Sequence, residues 1–178
     1  MSHFAPYAPD EHGRPDPALV VRPAEPEDVA GVARVARTRG ATQVGLEGRL
    51  AGWLRSDLHV VLAARRDDEV VGWASARVLG GHADSPDGWY VSSLTVDPAW
   101  RRRGAGDRLL AAVVAAVAAR VTAAGDRTDA LRSIVNATNH PSLDLHAAHG
   151  FVEEARGPSF AGVTFTGGVG VLLARPLP

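Results

Sequence analysis

The sequence predicts an α/β (α+β) fold, in which one mixed β-sheet of about six to seven strands is flanked by about four helices. Two observations carry this prediction. Short β-branched segments alternate with segments whose apolar residues recur at helical spacing, and one strand–loop–helix unit stands at the centre of the chain. The 178 residues fit one domain with one core, which we place at residues 19–178.

Residues 1–18 are predicted to be a flexible N-terminal extension or an extended cover strand. Four prolines, Pro6, Pro9, Pro15 and Pro17, lie among polar residues here. Prolines at this spacing forbid a helix, and the segment offers few apolar side chains to bury.

The next sixty residues predict one strand, two helices and a hairpin. Leu19–Arg22 is a short strand, and Pro26 with its acidic neighbours opens a helix, because proline and acids suit the first turn. A second helix over residues 46–55 places Leu46, Leu50, Trp53 and Leu54 on one face. A hairpin then pairs His59–Ala64 with Val70–Val78 around a charged turn.

The second half of the chain alternates strands and helices. Trp89–Val96 is a strong strand, and Asp97-Pro98 ends it. The further elements predicted are a long helix at 104–123, a strand at 131–135, a helix at 141–149 ended by Gly150, and strands at 151–155 and 169–174. A glycine-rich loop with Phe160 and Phe165 separates the last two strands.

Composition narrows the function classes. The net charge is -1, with 46% hydrophobic and 22% charged residues, so no global field draws the protein to nucleic acid or membrane. All 19 basic residues are arginine, because the chain has no lysine. It has no cysteine either, which excludes disulfides, thiolate metal sites and a covalent cysteine mechanism.

We expect a cytoplasmic protein. The first residues lack the basic start and apolar stretch of a signal peptide. The most apolar run, residues 109–119, is shorter than the roughly 20 residues that span a bilayer.

The most informative segment is the loop Arg101-Arg102-Arg103-Gly104-Ala105-Gly106, which lies between a strand and a helix. The helix N-terminus offers unpaired N–H groups and a partial positive charge, glycines let a large anion approach, and arginines suit phosphate oxygens. The pattern therefore predicts a pyrophosphate-binding loop, although it is neither a Walker A loop nor a dinucleotide fingerprint. The alternative is a basic turn before a surface helix, such as a nucleic-acid patch.

This loop resembles the R/Q-x-x-G-x-G/A signature of the GCN5-related N-acetyltransferases, and Leu94-Thr95-Val96-Asp97-Pro98 before it resembles that family's approach to the loop. Downstream, the segment from Asn139 to Phe151 is similar to the family's N-x-x-A/S-x-x-L-Y-x-x-x-G-F segment. The resemblance extends less specifically from about Val20 to Leu173 and leaves the N-terminal extension unexplained.

The resemblance implies a strongly twisted mixed sheet whose fourth and fifth strands splay apart to admit acetyl-CoA. It implies that the backbone at Leu94, Thr95 and Val96 pairs with the pantetheine arm as an added strand. The remaining cofactor-binding residues that it implies are Asn139, across the cleft, and the pyrophosphate loop residues Arg101, Arg102, Arg103, Gly104, Ala105 and Gly106.

The chain departs from the family at two positions that bear on catalysis. His146 stands where the family commonly has a tyrosine that protonates the departing thiolate. Histidine can donate a proton near neutral pH, but His146 could equally only pack or bind solvent. Ser92 stands where many relatives have a glutamate base; Glu47, His82 and solvent water are the alternatives. We expect no metal site, because His140, His146 and His149 have no carboxylate or thiolate set beside them.

Four aromatic residues are candidate walls of an acceptor site: Trp53, Trp89, Phe160 and Phe165. Aromatic residues are more often core than ligand contacts. Phe160 and Phe165 lie among glycines, which favours a lid.

Taken together, these features predict an N-acetyltransferase that moves an acetyl group from acetyl-CoA to a primary amine by direct attack in a ternary complex. The acceptor is a small molecule or peptide N-terminus; polyamine, aminoglycoside, amino acid and protein N-terminus all stay open, as does a homodimer. The alternatives are a catalytically inactive acyl-CoA-binding sensor and a nucleic-acid-binding protein, and the net charge argues against the second.

Overall fold

The computed structural model describes residue 4 and residues 13–40, 45–165 and 168–177. Its strands are β1 Leu19–Pro23, β2 His59–Arg66, β3 Glu69–Leu79, β4 Gly88–Val96, β5 Ala130–Asn136, β6 Val152–Gly157, β7 Ser159–Phe160, β8 Val163–Thr164 and β9 Gly170–Pro176. Its α-helices are α1 Val29–Arg37, α2 Leu46–Trp53, α3 Ala105–Ala124 and α4 His140–Ala148. Residues 1–3 and 5–12, which belong to the extension that we predict to be flexible, lie outside the described part.

Seven strands form one sheet in the order β1-β2-β3-β4-β5-β9-β6. Neighbouring strands are antiparallel except for β4 and β5, which are parallel. The parallel connection runs through α3, as a crossover between parallel strands requires. The predicted mixed sheet flanked by helices is confirmed.

The two central strands diverge along their length. β4 pairs with β3 from Gly88 to Val96, but it pairs with β5 only at Trp89, Tyr90 and Val91. Within the described residues, 92–96 of β4 therefore have no partner strand on the β5 side. The predicted splay between the fourth and fifth strands is confirmed, and it leaves a free strand edge at the centre of the sheet.

Helices cover both faces of the sheet. On one face, Leu109, Leu110, Val113 and Val117 of α3 are fully buried among residues of the central strands. On the other face, α1 and α2 pack on β2 and β3 through a second cluster that includes Trp73. The face of α3 that packs on the sheet consists mainly of leucine and valine, whereas most of its alanines are exposed or half-buried.

A buried carboxylate fixes where α1 begins. Asp28 is fully buried and accepts hydrogen bonds from Arg22 (2.8 Å), from Arg65 and from the backbone N–H of Glu25 (2.9 Å). A buried charge needs such partners. These contacts tie β1, β2 and α1 together and so set the position of the helix that covers the centre of the sheet.

Two of the four aromatic candidates for the acceptor-site wall are core residues. Trp89 is buried in the core that α3 covers, so it does not line an acceptor site. Phe160 lies in the short strand β7, in a two-residue hairpin that we had predicted as loop. It is buried with Tyr90 and Leu172 instead of forming a lid, because the hairpin folds its ring onto the sheet.

Candidate active site

The turn after β4 holds the predicted pyrophosphate loop in place. Asp97 accepts a hydrogen bond from the N–H of Ala99 (3.0 Å) and pairs with Arg34 of α1 (2.8 Å). Its own N–H donates to the carbonyl of Val71 (2.9 Å). An Asp-Pro turn whose Asp side chain bonds the backbone that follows has little conformational freedom. The start of the loop is therefore held in one position relative to β4.

The loop presents the free N-terminus of α3. Arg102 and Gly104 have left-handed backbones, with φ of 59° and 81°. Gly104 is the residue before α3 and has no side chain to cap it. The first-turn N–H groups of Ala105, Gly106 and Asp107 are therefore left without intrahelical acceptors. Such a helix end binds anions, which fits the pyrophosphate of a CoA-type ligand.

Residues 13–18 lie on the back of this loop. The N–H of Asp16 donates to the carbonyl of Arg103 (3.0 Å), and Pro15 would lie 3.5 Å from a Cβ placed on Gly104. In a trans peptide the C=O and the following N–H point in opposite directions. The N–H of Gly104 therefore points away from Asp16, so the end of the expected flexible extension orients a loop amide.

Helix α4 forms the opposite wall of the opening between β4 and β5. A Cβ placed on Gly106 would lie 3.6 Å from Leu145 and 3.9 Å from Val96, so Gly106 faces the space between β4 and α4. Asn139 lies between the end of β5 and α4, with its N–H bonded to the carbonyl of Asn136 (2.8 Å). The opening is thus bordered by β4, by the start of α3 and by α4.

His146 lies in α4 and is only 2% exposed. Its Nδ1 is 2.7 Å from the carbonyl oxygen of Ser142, which assigns the proton to Nδ1, because a carbonyl can only accept. The buried Nε2 has no hydrogen-bond partner among the described residues. Burial is the main cause that lowers the pKa of His146, and the charge of His149 lowers it further.

This environment changes what His146 can do. A lowered pKa leaves the imidazole neutral at pH 7, and only the imidazolium donates a proton efficiently. The ring packs edge-on against Phe151, with 5.0 Å between centroids. These contacts favour the packing role that the sequence left open over the acid role.

A second concave region, the acceptor pocket, lies on the α1 and α2 side of β3 and β4. Its volume is about 600 Å³, within the range of small-molecule sites. Its lining includes Arg39, Arg49, Trp53, His59, Trp73, Arg77, Ser92, Ser93 and Thr95. Ser92, Ser93 and Thr95 line this pocket and belong to the stretch of β4 that has no partner on the β5 side, so the two regions meet at the same stretch of strand.

The three candidate bases differ in where they lie. Ser92 lies at a register shift of β4 against β3, and its hydroxyl is 2.8 Å from that of Ser75. Glu47 is paired with Arg37 (3.0 Å), and His82 lies against Gly162 in the loop region. Only Ser92 borders the acceptor pocket.

Sequence reasoning missed the arginines of the pocket. Arg39, Arg49 and Arg77 come from the segment after α1, from α2 and from β3. Each one looks like an ordinary surface charge in the sequence, and no motif joins them. Of the four aromatic candidates, Trp53 does line the pocket, where its ring stacks on His59 with 5.4 Å between centroids.

The described residues also bear on two other classes of site, metal sites and membrane-spanning segments. They contain no group of three histidine, aspartate or glutamate side chains that could hold a metal ion. None of their helices is long and apolar enough to cross a membrane.

Three of the solved structures that resemble this one are described as acetyltransferases. A ribosomal-protein-alanine N-acetyltransferase from Brucella melitensis is 25% identical with a TM-score of 0.66, covering 89% of this chain and 99% of that one. A putative phosphinothricin N-acetyltransferase is 24% identical with a TM-score of 0.66 and coverages of 90% and 99%. A putative acetyltransferase from Salmonella typhimurium, solved with its cofactor acetyl-CoA, is 20% identical with a TM-score of 0.69 and coverages of 90% and 95%.

These likenesses establish the fold, and the sequence comparison establishes the family. No curated protein matches the chain significantly. The sequence model of the acetyltransferase (GNAT) family matches residues 4–151, which is most of the chain and includes the loop, the opening and the acceptor pocket. The chain therefore belongs to the acetyltransferase (GNAT) family.

Proposed function

We propose that this protein is an N-acetyltransferase that transfers an acetyl group from acetyl-CoA to a primary amine by direct attack in a ternary complex. The observation that carries the proposal is the position of β4. Residues 92–96 have a free edge beside the uncapped N-terminus of α3, and the same stretch borders the acceptor pocket. Two ligands bound in these regions would meet at one strand.

The residues that would hold acetyl-CoA border the opening. The free edge at Leu94, Thr95 and Val96 suits a pantetheine arm, which can pair like an added strand. The amides of residues 102–106 and the side chain of Arg101 suit the pyrophosphate. Asn139 would contact the ligand from the β5 side.

Acetyl-CoA supplies an activated acetyl group as a thioester. In the transfer, the amine nitrogen bonds to the acetyl carbon, the C–S bond breaks, and one proton passes in net from the amine to the sulfur. The chain has no cysteine, so the acetyl group does not rest on a cysteine of this protein. The main contribution of the protein is to hold the two reactants in contact.

We further propose that solvent water takes the proton of the amine. Among the described residues of the acceptor pocket, none is Asp or Glu. The hydroxyls of Ser92 and Ser75, 2.8 Å apart, are suited to order a water molecule but cannot take a proton unaided. His146 as the proton donor stays a prediction, and its neutral state weakens it.

An acceptor screen tests the function. Purified protein is mixed with acetyl-CoA and a broad panel of amines, and free thiol is measured over time with a protein-free control. Acetylated product must appear in the mass spectrum in step with thiol release. Acetyl-CoA binding without transfer to any amine would contradict the enzyme and favour the acyl-CoA-binding sensor.

A further inference from the structure

The permanently charged side chains that line the acceptor pocket are all positive. Three arginines, Arg39, Arg49 and Arg77, border it, and none of its described residues is acidic. The nearby Glu47 is engaged by Arg37 on the neighbouring helix (3.0 Å). A pocket with cations and without anions disfavours a polycationic ligand and favours an anionic one.

Two buried donors in the same pocket also lack partners. Trp73 is 4% exposed, and its Nε1–H has no hydrogen-bond partner among the described residues; the same holds for the buried Nε–H of Arg77. A buried donor without an acceptor costs free energy, and such groups call for an explanation. Both residues line the pocket, but the two N–H groups are buried beneath its surface, so an acceptor oxygen reaches them only if the lining side chains shift on binding.

The positions of these donors follow from the strand geometry. Alternate residues of a strand face the same side, so Trp73, Ser75 and Arg77 of β3 share the face that α1 and α2 cover. The α1 side adds Arg39, which reaches the carbonyl of Leu94 (3.3 Å) on the free-edge segment of β4. Cationic donors therefore extend from the pocket to the strand where the transfer would occur.

We infer that the acceptor is a small primary amine that carries an acidic group, most simply a free α-amino acid whose carboxylate is bound by the arginines of the pocket. This inference rests on the proposed N-acetyltransferase function and narrows its substrate class. It disfavours polyamines and aminoglycosides, whose further ammonium groups would meet like charges. It also disfavours peptide N-termini, because an amide replaces their nearest carboxylate.

The arginines also suit the chemistry of the amine. Nearby positive charges lower the pKa of an ammonium group, so more of the bound acceptor is the free amine that attacks. A guanidinium stays protonated and does not compete as an acetyl acceptor. Desolvation first and the charge of Arg101 second lower the pKa of Arg39, and a bound anion would relieve that repulsion.

Matched substrates give the first test. L-amino acids, their carboxamides and a polyamine are compared as acceptors by kcat/KM at one pH. We expect the carboxylates to exceed their amides by about tenfold or more, the effect of one charge-assisted hydrogen bond. The amine of a carboxamide is less basic and thus more often unprotonated, so the comparison is biased against the inference.

Matched variants give the second test. Arg77→Met removes the charge but keeps a similar length, whereas Arg55→Met removes an exposed arginine outside the pocket. We expect Arg77→Met to raise KM for the amino acid roughly ten- to a hundredfold and to change the carboxamide far less. Arg55→Met should leave both substrates as they are. A defect equal for both substrates would indicate a structural role and overturn the inference.

A binding measurement separates the inference from the function. Trp53 and Trp73 line the pocket, so their fluorescence can report binding of an N-acetyl amino acid and of its N-acetyl amide. Preferential binding of the acid supports the inference even if no turnover is found. Efficient transfer to amides or polyamines, with no preference for the acid, would overturn the inference and leave the enzyme intact.

Discussion

The opening between β4 and β5 and the acceptor pocket lie side by side, yet the chain builds them differently. The residues proposed to hold acetyl-CoA in the opening come mostly from one continuous stretch, 94–106, and the proposal adds Asn139 from beyond β5. The pocket draws on α1, α2, β2, β3 and β4, from Ala36 to Thr95. A site built from continuous backbone can be recognised as a motif, whereas a site built from scattered side chains cannot.

The two regions also offer different groups to a ligand. The opening offers backbone amides and space, through Gly104 and Gly106. The pocket offers side-chain donors, through its three arginines. We therefore expect the opening to be sensitive to added bulk and charge, and the pocket to be sensitive to lost charge.

The largest effect, a loss of acetyl-CoA binding, is expected from Gly106→Glu. The new side chain would point between Val96 and Leu145, into the opening, and its charge would repel a pyrophosphate. Acetyl-CoA at a hundredfold excess over its Kd stabilises a protein by roughly 2.7 kcal/mol, and the variant should lose this stabilisation in a thermal shift assay.

A matched control exists for this variant. Gly48→Glu adds the same charge in the first turn of α2, where nothing lies within 4 Å of a new Cβ, and should keep the stabilisation. Glutamate near a helix N-terminus is itself favourable, so both variants should fold. A folded Gly106→Glu protein with the parent affinity for acetyl-CoA would disprove the binding site.

The next effect is on the pH dependence of the free energy of unfolding and comes from His146, a buried residue of α4. Its native pKa is lowered from the usual 6.5, so in the window below that value the unfolded chain binds more protons than the native protein. Stability therefore falls as the pH falls through this window, with a slope of at most about 1.4 kcal/mol per pH unit. His146→Phe should remove this slope.

Urea unfolding from about pH 5 to about pH 7.5 measures the slope. The pKa of His59 is also lowered, by desolvation and by Arg77 and Arg120, but this residue is unchanged in the variant and its contribution cancels. An identical pH dependence in both proteins would mean that His146 is not held neutral.

A smaller effect, on the KM for acetyl-CoA, is expected from a substitution at the contact between residues 13–18 and the loop. A Cβ on Gly13 would lie 1.8 Å from the carbonyl oxygen of Arg102, so Gly13→Ala must displace the segment or the loop. We expect KM for acetyl-CoA to rise by about threefold to tenfold, since about one hydrogen bond to the loop is weakened, with kcat nearly unchanged. Gly48→Ala, with open space around it, is the control. Parent KM values in Gly13→Ala would show that the segment does not orient the loop.

The smallest effect is expected on turnover in His146→Phe. A positioned acid contributes roughly 10²–10⁴-fold, but a buried neutral imidazole bonded to Ser142 should contribute less than about tenfold. Rates of the parent, His146→Phe and His146→Tyr are compared at each pH with one acceptor, which cancels the titration of the amine. A loss of a hundredfold or more in His146→Phe at pH 7 would restore His146 as the acid.

The sequence by itself determined the sheet, the helices and the loop at 101–106. These features depend on local rules: β-branched and aromatic residues in β4, helical spacing in α3, and glycines at a helix start. The splay between β4 and β5 was also predicted, from the resemblance of two short segments to family signatures. Element ends were less certain, and the hairpin β7–β8 was missed because two-residue strands leave no periodic signal.

The tertiary structure decided everything that depends on which residues meet. Neutral His146, core Phe160, Asp16 on the carbonyl of Arg103, and the convergence of Arg39, Arg49 and Arg77 are all products of packing between distant segments. A residue's type fixes its possible chemistry, but its burial and neighbours fix its charge state and partners. Those neighbours are set by the sheet order and the packing of α1, α2 and α4 on it, which no local pattern specifies.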